Sequence, residues 1–173
     1  GSKNDVAAEI RSKTGLSKRL WGSKICDIVD KISEVCASDP TNKVILFAQW
    51  EDLLEQFEVA LAEVKIESST VKGATSVRTK AIRTFQERKN CKVILLSSVY
   101  GASGINLVEA NYVFIVHPFL GDMSEQYEYQ AICRAYRTGQ KRTVTVMHFI
   151  REDTYEQTLY SKRDHKDEVG SLI

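Results

Sequence analysis

Ile25, Ile28, Val29, Ile32, Val35 and Cys36 recur at the i, i+3, i+4, i+7 spacing that lays one apolar stripe along a helix. Ser23 stands at the N-cap position, and Asp39-Pro40-Thr41-Asn42 supplies the stop. Lys43–Ala48 is then a short apolar run bounded by polar residues, the pattern of a strand buried on both faces. Helical spacing resumes at Leu53, Leu54, Phe57, Ala60 and Leu61. Residues 64–70 fit a shorter strand, and 76–88 a helix that turns Val77, Ala81, Ile82 and Phe85 inward. Further buried runs follow at Lys92–Ser97, Tyr112–Val116 and Val144–Ile150, the last two separated by a polar helix over about 122–137. A last helix is expected over about 153–163.

Strands that alternate with helices of 10–15 residues predict an α/β fold: parallel strands, right-handed crossovers and helices on both faces of the sheet. In such sheets ligands bind beyond the carboxyl ends of the strands, so the loops after Ala48, Ser97, Val116 and Ile150 are the first places to seek chemistry. The chain has 173 residues, the size of one domain. No apolar run approaches a membrane span. Gly1-Ser2 reads as an expression scar, residues 1–21 as a lead-in without a signal-peptide pattern, and 164–173 as a charged tail. With 24 Lys and Arg against 23 Asp and Glu, any nucleic-acid contact has to come from locally concentrated charge. Cys26, Cys36, Cys91 and Cys133 fit no zinc spacing and read as reduced thiols. His117, His148 and His165 are too dispersed for a metal site.

Two segments carry candidate chemistry. Ser97-Ser98-Val99-Tyr100-Gly101-Ala102-Ser103-Gly104-Ile105-Asn106-Leu107 follows a strand with two hydroxyls, two glycines and an amide. Glycine lets backbone N–H groups approach an anionic oxygen and hydroxyls add donors, although the same composition also makes an ordinary turn. No Gly-x-x-x-x-Gly-Lys-Ser/Thr occurs, so this is no P-loop. The second segment runs from Gln130 to Arg142, with four cations and no acid from Arg134 onward. On a helix, Arg134 and Arg137 fall on one face, with Gln130 a turn earlier and Gly139 as the stop. Adjacent cations need an anion opposite, either a phosphate or a carboxylate of the chain itself. A solvated basic helix end is the equally open alternative.

Together the two segments resemble a family. Gln-x-x-x-Arg-x-x-Arg-x-Gly-Gln at 130–140 is similar to the closing motif of the second motor lobe in Swi/Snf-type helicase-like ATPases. The strand–Ser-Ser-x-x-Gly-x-x-Gly-Ile-Asn-Leu stretch resembles the motif before it. Val44–Trp50 resembles the strand-plus-Gln-aromatic motif, and Gly22–Ile25 the lead-in. The likeness covers roughly residues 22–160. Val71–Thr75 and Glu109–Pro118 lean toward the branch whose lobes are split by a RING insertion.

The resemblance implies a RecA-like three-layer sandwich over 22–163, the second lobe of an ATP-driven translocase on double-stranded DNA. ATP and Mg2+ would be held mainly by the N-terminal RecA-like lobe, whose P-loop and Asp-Glu box this sequence lacks, so the lobe alone would not hydrolyse ATP. Arg134 and Arg137 would be arginine fingers, with Gln130 sensing the γ-phosphate. Gly104 and Asn106 would lie near the ribose. Gln49, Trp50, Ser97, Ser98 and Gly101 would meet the DNA backbone, with Lys72 as an added phosphate contact or a plain surface lysine. Nuclear chromatin remodelling or DNA repair would follow, with nucleosomes or the ubiquitin machinery as further partners and no membrane. An inert lobe serving as a protein- or nucleic-acid-binding module is the alternative. Departures from the family pattern are Cys133 for an acid, Tyr136 and Thr138 for His and Ile, His117 for the acid before Pro118, and Lys72-Gly73 for Asp-Gly.

Overall fold

The computed structural model describes residues 10–117 and 124–149. The helix expected over 153–163 and the tail at 164–173 lie outside them, as do residues 1–9 of the lead-in. The elements run α1 (Lys18–Ser38), β1 (Val44–Ala48), α2 (Glu51–Glu63), β2 (Glu67–Thr70), α3 (Thr75–Glu87) and β3 (Cys91–Ser97). A short 3-10 helix (Ser98–Ser103) follows, then β4 (Tyr112–Ile115), α4 (Ser124–Ala135) and β5 (Thr145–His148). All strand pairs are parallel, in the order β2-β3-β1-β4-β5.

The strand alternation explains the layers. Val44, Leu46 and Ala48 of β1 pack with Ile28, Ile32, Leu54 and Phe57, which belong to α1 and α2. Ile45 and Phe47 point the other way, toward Phe85 of α3 and Ala131 and Ala135 of α4. All five β1 residues are buried, as a central parallel strand requires. The outer strands β2 and β5 are only half-buried through most of their length.

Three local expectations shift. The N-cap of α1 is Ser17, whose hydroxyl accepts from Leu20 N–H at 3.3 Å, because a first turn precedes a non-helical Gly22 (φ 77°, ψ 161°). Val77 is 51% exposed rather than inward, while Phe85 is fully buried, so α3 meets the core mainly through its last turns. The stretch after β3 winds into a 3-10 helix where a loop was expected.

The amino ends of the strands are cross-tied. Asn111 Oδ1 accepts from Lys43 N–H (3.0 Å), and Asn111 Nδ2 donates to Asn42 Oδ1 (2.9 Å). Asn42 Nδ2 donates to the Val35 carbonyl (2.9 Å), and Arg142 reaches Asn42 Oδ1 (2.9 Å) and the Thr41 carbonyl (3.0 Å).

Lys43 is buried, and its ammonium donates to the carbonyls of Phe85 and Arg88 at the end of α3. It also lies over the Phe85 ring, 4.8 Å from the centroid. Burial pushes its pKa below the ordinary lysine value. The cation satisfies carbonyls that a helix end leaves open and complements the dipole there. Lys43→Met is expected to destabilise the lobe by about 1–3 kcal/mol, because the Phe85 carbonyl would stay buried without its donor. Urea unfolding measures the difference.

Candidate nucleotide and nucleic-acid interface

The chain leaves β1 for the β2 side of the sheet and leaves β4 for the β5 side. Their carboxyl ends therefore flank the topological switch point, where α/β sheets open a crevice. Gln49, Trp50 and His117 occupy it. Gln49 N–H donates to His117 Nε2 at 3.4 Å, and Trp50 stacks on the His117 ring at 4.7 Å with 19° between planes. The stack holds Trp50 half exposed, presenting an aromatic face. On the other side of β1, the Ser98 hydroxyl donates to the Gln49 carbonyl at 3.1 Å. Ser97 is fully buried, and its Oγ has no hydrogen-bond partner among the described residues. Of the two serines, Ser98 is the one partly open to solvent. Gly101 lies within the 3-10 helix.

Lys72 stands apart at the β2 edge and is ion-paired with Glu58 at 3.1 Å, a partner that no sequence pattern announces. Arg78, which follows the Lys72-Gly73 turn, donates to the Gly73 carbonyl at 2.7 Å and lies 4.9 Å from the Tyr100 ring centroid. It ties the start of α3 to the 3-10 helix.

The arginine pair sits elsewhere. α4 begins beyond the carboxyl end of β4 and ends before the amino end of β5, so its last turn lies away from the strand tips. It ends at Ala135, two residues before Arg137, so the two arginines do not share one helix face as spacing predicted. Arg137 belongs to a tight turn in which Gln140 N–H bonds the Arg137 carbonyl at 3.0 Å, with Gly139 at φ 99°. The expected helix stop at Gly139 is thus the positive-φ residue of that turn.

Arg134 is 8% exposed, whereas Arg137 is exposed. Burial lowers the Arg134 pKa, and the neighbouring charge of Arg137 lowers it further. Arg137 Nη1 donates to the carbonyls of Gly104 (3.4 Å) and Ile105 (3.2 Å), and Leu107 N–H donates to the Arg134 carbonyl at 2.9 Å. Gly104 closes the 3-10 helix in the left-handed region (φ 68°, ψ 20°) with open space around it, so backbone conformation rather than close approach calls for glycine. Asn106 Oδ1 accepts from Val108 N–H at 3.3 Å, and Gln86 donates to the Asn106 carbonyl at 2.8 Å. Gln130, one turn before Arg134 on α4, has a buried Oε1 with no hydrogen-bond partner among the described residues.

Gln140, the last residue of the closing motif, had no role from the sequence. Its Nε2 lies within hydrogen-bond distance of the carbonyls of Val108 (3.0 Å), Ala110 (2.9 Å) and Ala135 (3.1 Å). It locks the turn that carries Arg137 onto the connector after the 3-10 helix. Cys133, which stands for an acid, engages the Tyr129 phenol, and that hydrogen bond raises the tyrosine pKa. The segment from Ser97 to Leu107 thus joins two candidate half-sites: the strand tips at one end and the arginine turn at the other.

A family profile described as "Helicase conserved C-terminal domain" matches residues 24–139. The chain belongs to this family. Its relatives and its parallel sheet identify it as the RecA-like C-terminal lobe of a Swi/Snf-type helicase domain. "DNA repair protein RAD5B" of Arabidopsis thaliana is 32% identical over 149 residues, 85% of this chain and 11% of the relative. "DNA repair protein rad8" of Schizosaccharomyces pombe is 30% identical over 157 residues, 90% of this chain and 14% of the relative. The lobe therefore spans a small part of these curated relatives. Among solved structures, the C-terminal part of the Fun30 ATPase domain matches with a TM-score of 0.75 and 25% identity, covering 86% of this chain and 48% of that one. No helix among the described residues is long and apolar enough to cross a membrane.

Proposed function

We propose that this lobe is the second half of an ATP-driven motor on double-stranded DNA, in which Arg134 and Arg137 serve the nucleotide and the strand-tip residues serve the DNA backbone. The observation that carries the reading is the arginine turn: the exposed Arg137 guanidinium rests on the Gly104 and Ile105 carbonyls, the buried Arg134 stands three residues earlier, and the orphaned Gln130 Oε1 lies one turn before that. A guanidinium bonds phosphate oxygens through a planar fork and keeps its charge, so a triphosphate suits the pair. Among the described residues no three His, Cys, Asp or Glu side chains come together as a metal site. ATP and Mg2+ would be held mainly by the N-terminal lobe. ATP, when bound there, supplies the phosphoryl group. The part of this lobe is to present Arg134, Arg137 and Gln130 toward it, with Gly104 and Asn106 nearest the ribose.

At the other half-site, Gln49, the exposed face of Trp50, Ser98 and Gly101 would meet phosphate and sugar, with Ser97 behind them and Lys72 at the margin. Such contacts are indifferent to base sequence. The names of the relatives support DNA repair as the setting and the nucleus as the place. Nucleosomes or the ubiquitin machinery would be further partners of the whole protein. The test is ATP turnover by the full-length protein with duplex DNA, single-stranded DNA and RNA of equal length. Duplex DNA is expected to stimulate most; stimulation by RNA alone, or by neither, defeats the proposal.

A further inference from the structure

From Lys72 to Lys92, both included, there are seven Lys or Arg residues against one acid, Glu87, although the chain as a whole carries a net charge of +1. Positive charge is thus segregated onto α3 and its flanks, and the remainder of the chain is acidic. Part of that charge is already met. Lys72 pairs with Glu58, Arg88 with Glu67 at 2.9 Å, and Arg78 is bound to the Gly73 carbonyl. Lys80, Arg83 and Lys89 are exposed, and their side chains make no hydrogen bond or ion pair among the described residues. Lys80 and Arg83 lie i, i+3 on the outer face of α3, where like charges repel. They line one concave surface with Ser76, Thr79, Thr84, Arg88 and a single acid, Glu87, so cations outnumber carboxylates there three to one.

Thr79 and Thr84 donate their hydroxyl protons to the carbonyls of Thr75 and Lys80, each at 2.9 Å, which fixes their oxygens beside the cations. The concavity pairs charge with hydroxyls and has no aromatic or aliphatic anchor of the kind that seats a peptide. Unmet cations interleaved with hydroxyls suit a row of phosphates, which need charge and small donors only. The patch also continues into the strand-tip half-site, because Arg78 bridges the first turn of α3 to Tyr100.

The geometry points to the outer face of α3, centred on Lys80 and Arg83 and extended by Lys89 just past the end of the helix, as a second phosphate-backbone contact for duplex DNA, distinct from the strand-tip residues. It rests on the reading that duplex DNA is the partner, but not on the role of the arginine pair. The test is nucleotide-free binding of a fluorescent duplex by the full-length protein across a salt series. In the variant carrying Lys80→Gln, Arg83→Gln and Lys89→Gln, the slope of log affinity against log salt is expected to become shallower by about 2–3, with at least tenfold weaker binding near 0.1 M salt, at roughly 0.9 for each phosphate no longer neutralised. The variant carrying Lys80→Arg and Arg83→Lys should keep the parent slope. If the parent binds duplex DNA and the neutral variant shows the same slope, the α3 contact is overturned while the DNA reading stands. If the parent fails to bind DNA, both are overturned. If the neutral variant loses affinity for polyglutamate and none for DNA, the face serves an acidic protein and the proposal is again overturned.

Discussion

Arg134→Ala and Arg137→Ala, made singly in the full-length protein, are each expected to cut DNA-stimulated ATP turnover by about 10³- to 10⁵-fold, the range over which arginine fingers act. The two should differ in everything except that loss. Arg134 is buried, so truncating its side chain leaves unfilled space beside α4 and should also lower the unfolding midpoint. Arg137 is exposed, and its guanidinium rests on two backbone carbonyls, so its truncation should leave stability nearly unchanged. Lysine at either position keeps the charge and loses the fork, and should rescue little. DNA affinity without nucleotide should be retained in both, since neither arginine belongs to the strand-tip half-site. Turnover unchanged by both substitutions would remove the finger assignment.

Phe114→Ala is expected to cost about 3–5 kcal/mol, the usual range for a large aromatic removed from a packed core. Phe114 is fully buried on β4, meets Tyr112 edge-on at 6.2 Å and packs tilted against Phe149 at 5.0 Å. Phe149 follows the edge strand β5, so the cavity would also loosen the strand that seals that side of the sheet. Val59, 57% exposed on α2, is the control: Val59→Ala should stay within about 0.5 kcal/mol. Equal effects of the two substitutions in urea would contradict the assignment of the core.

The strands and most of the helices were legible because buried parallel strands carry unbroken apolar runs and the helices carry one stripe. Phe47 and Phe57 announced themselves in that way. What stayed hidden depended on contacts between distant segments. Val77 fits the helical period, yet α3 overhangs the short β2 and leaves it in solvent. The 3-10 helix after Ser97 has too few residues for any periodicity to appear. Within the site, residue types pointed to phosphate chemistry, but spacing alone placed Arg134 and Arg137 on one helix face. The helix ends before Arg137 because the chain turns through Gly139 and is braced by Gln140, whose three carbonyl neighbours lie 5 to 32 positions away in sequence. His117 carried one signal, its place at a strand end; its partners Gln49 and Trp50 follow a different strand, β1.

The asparagine and arginine ties at the amino ends of the strands have a wider meaning. They stitch one pole of the lobe shut through the side chains of Asn42, Asn111 and Arg142, which join the end of α1, the turn before β1, the start of β4 and the approach to β5. A slip of β4 along β1 would have to break these ties together, so the register of the central strands is pinned where they begin.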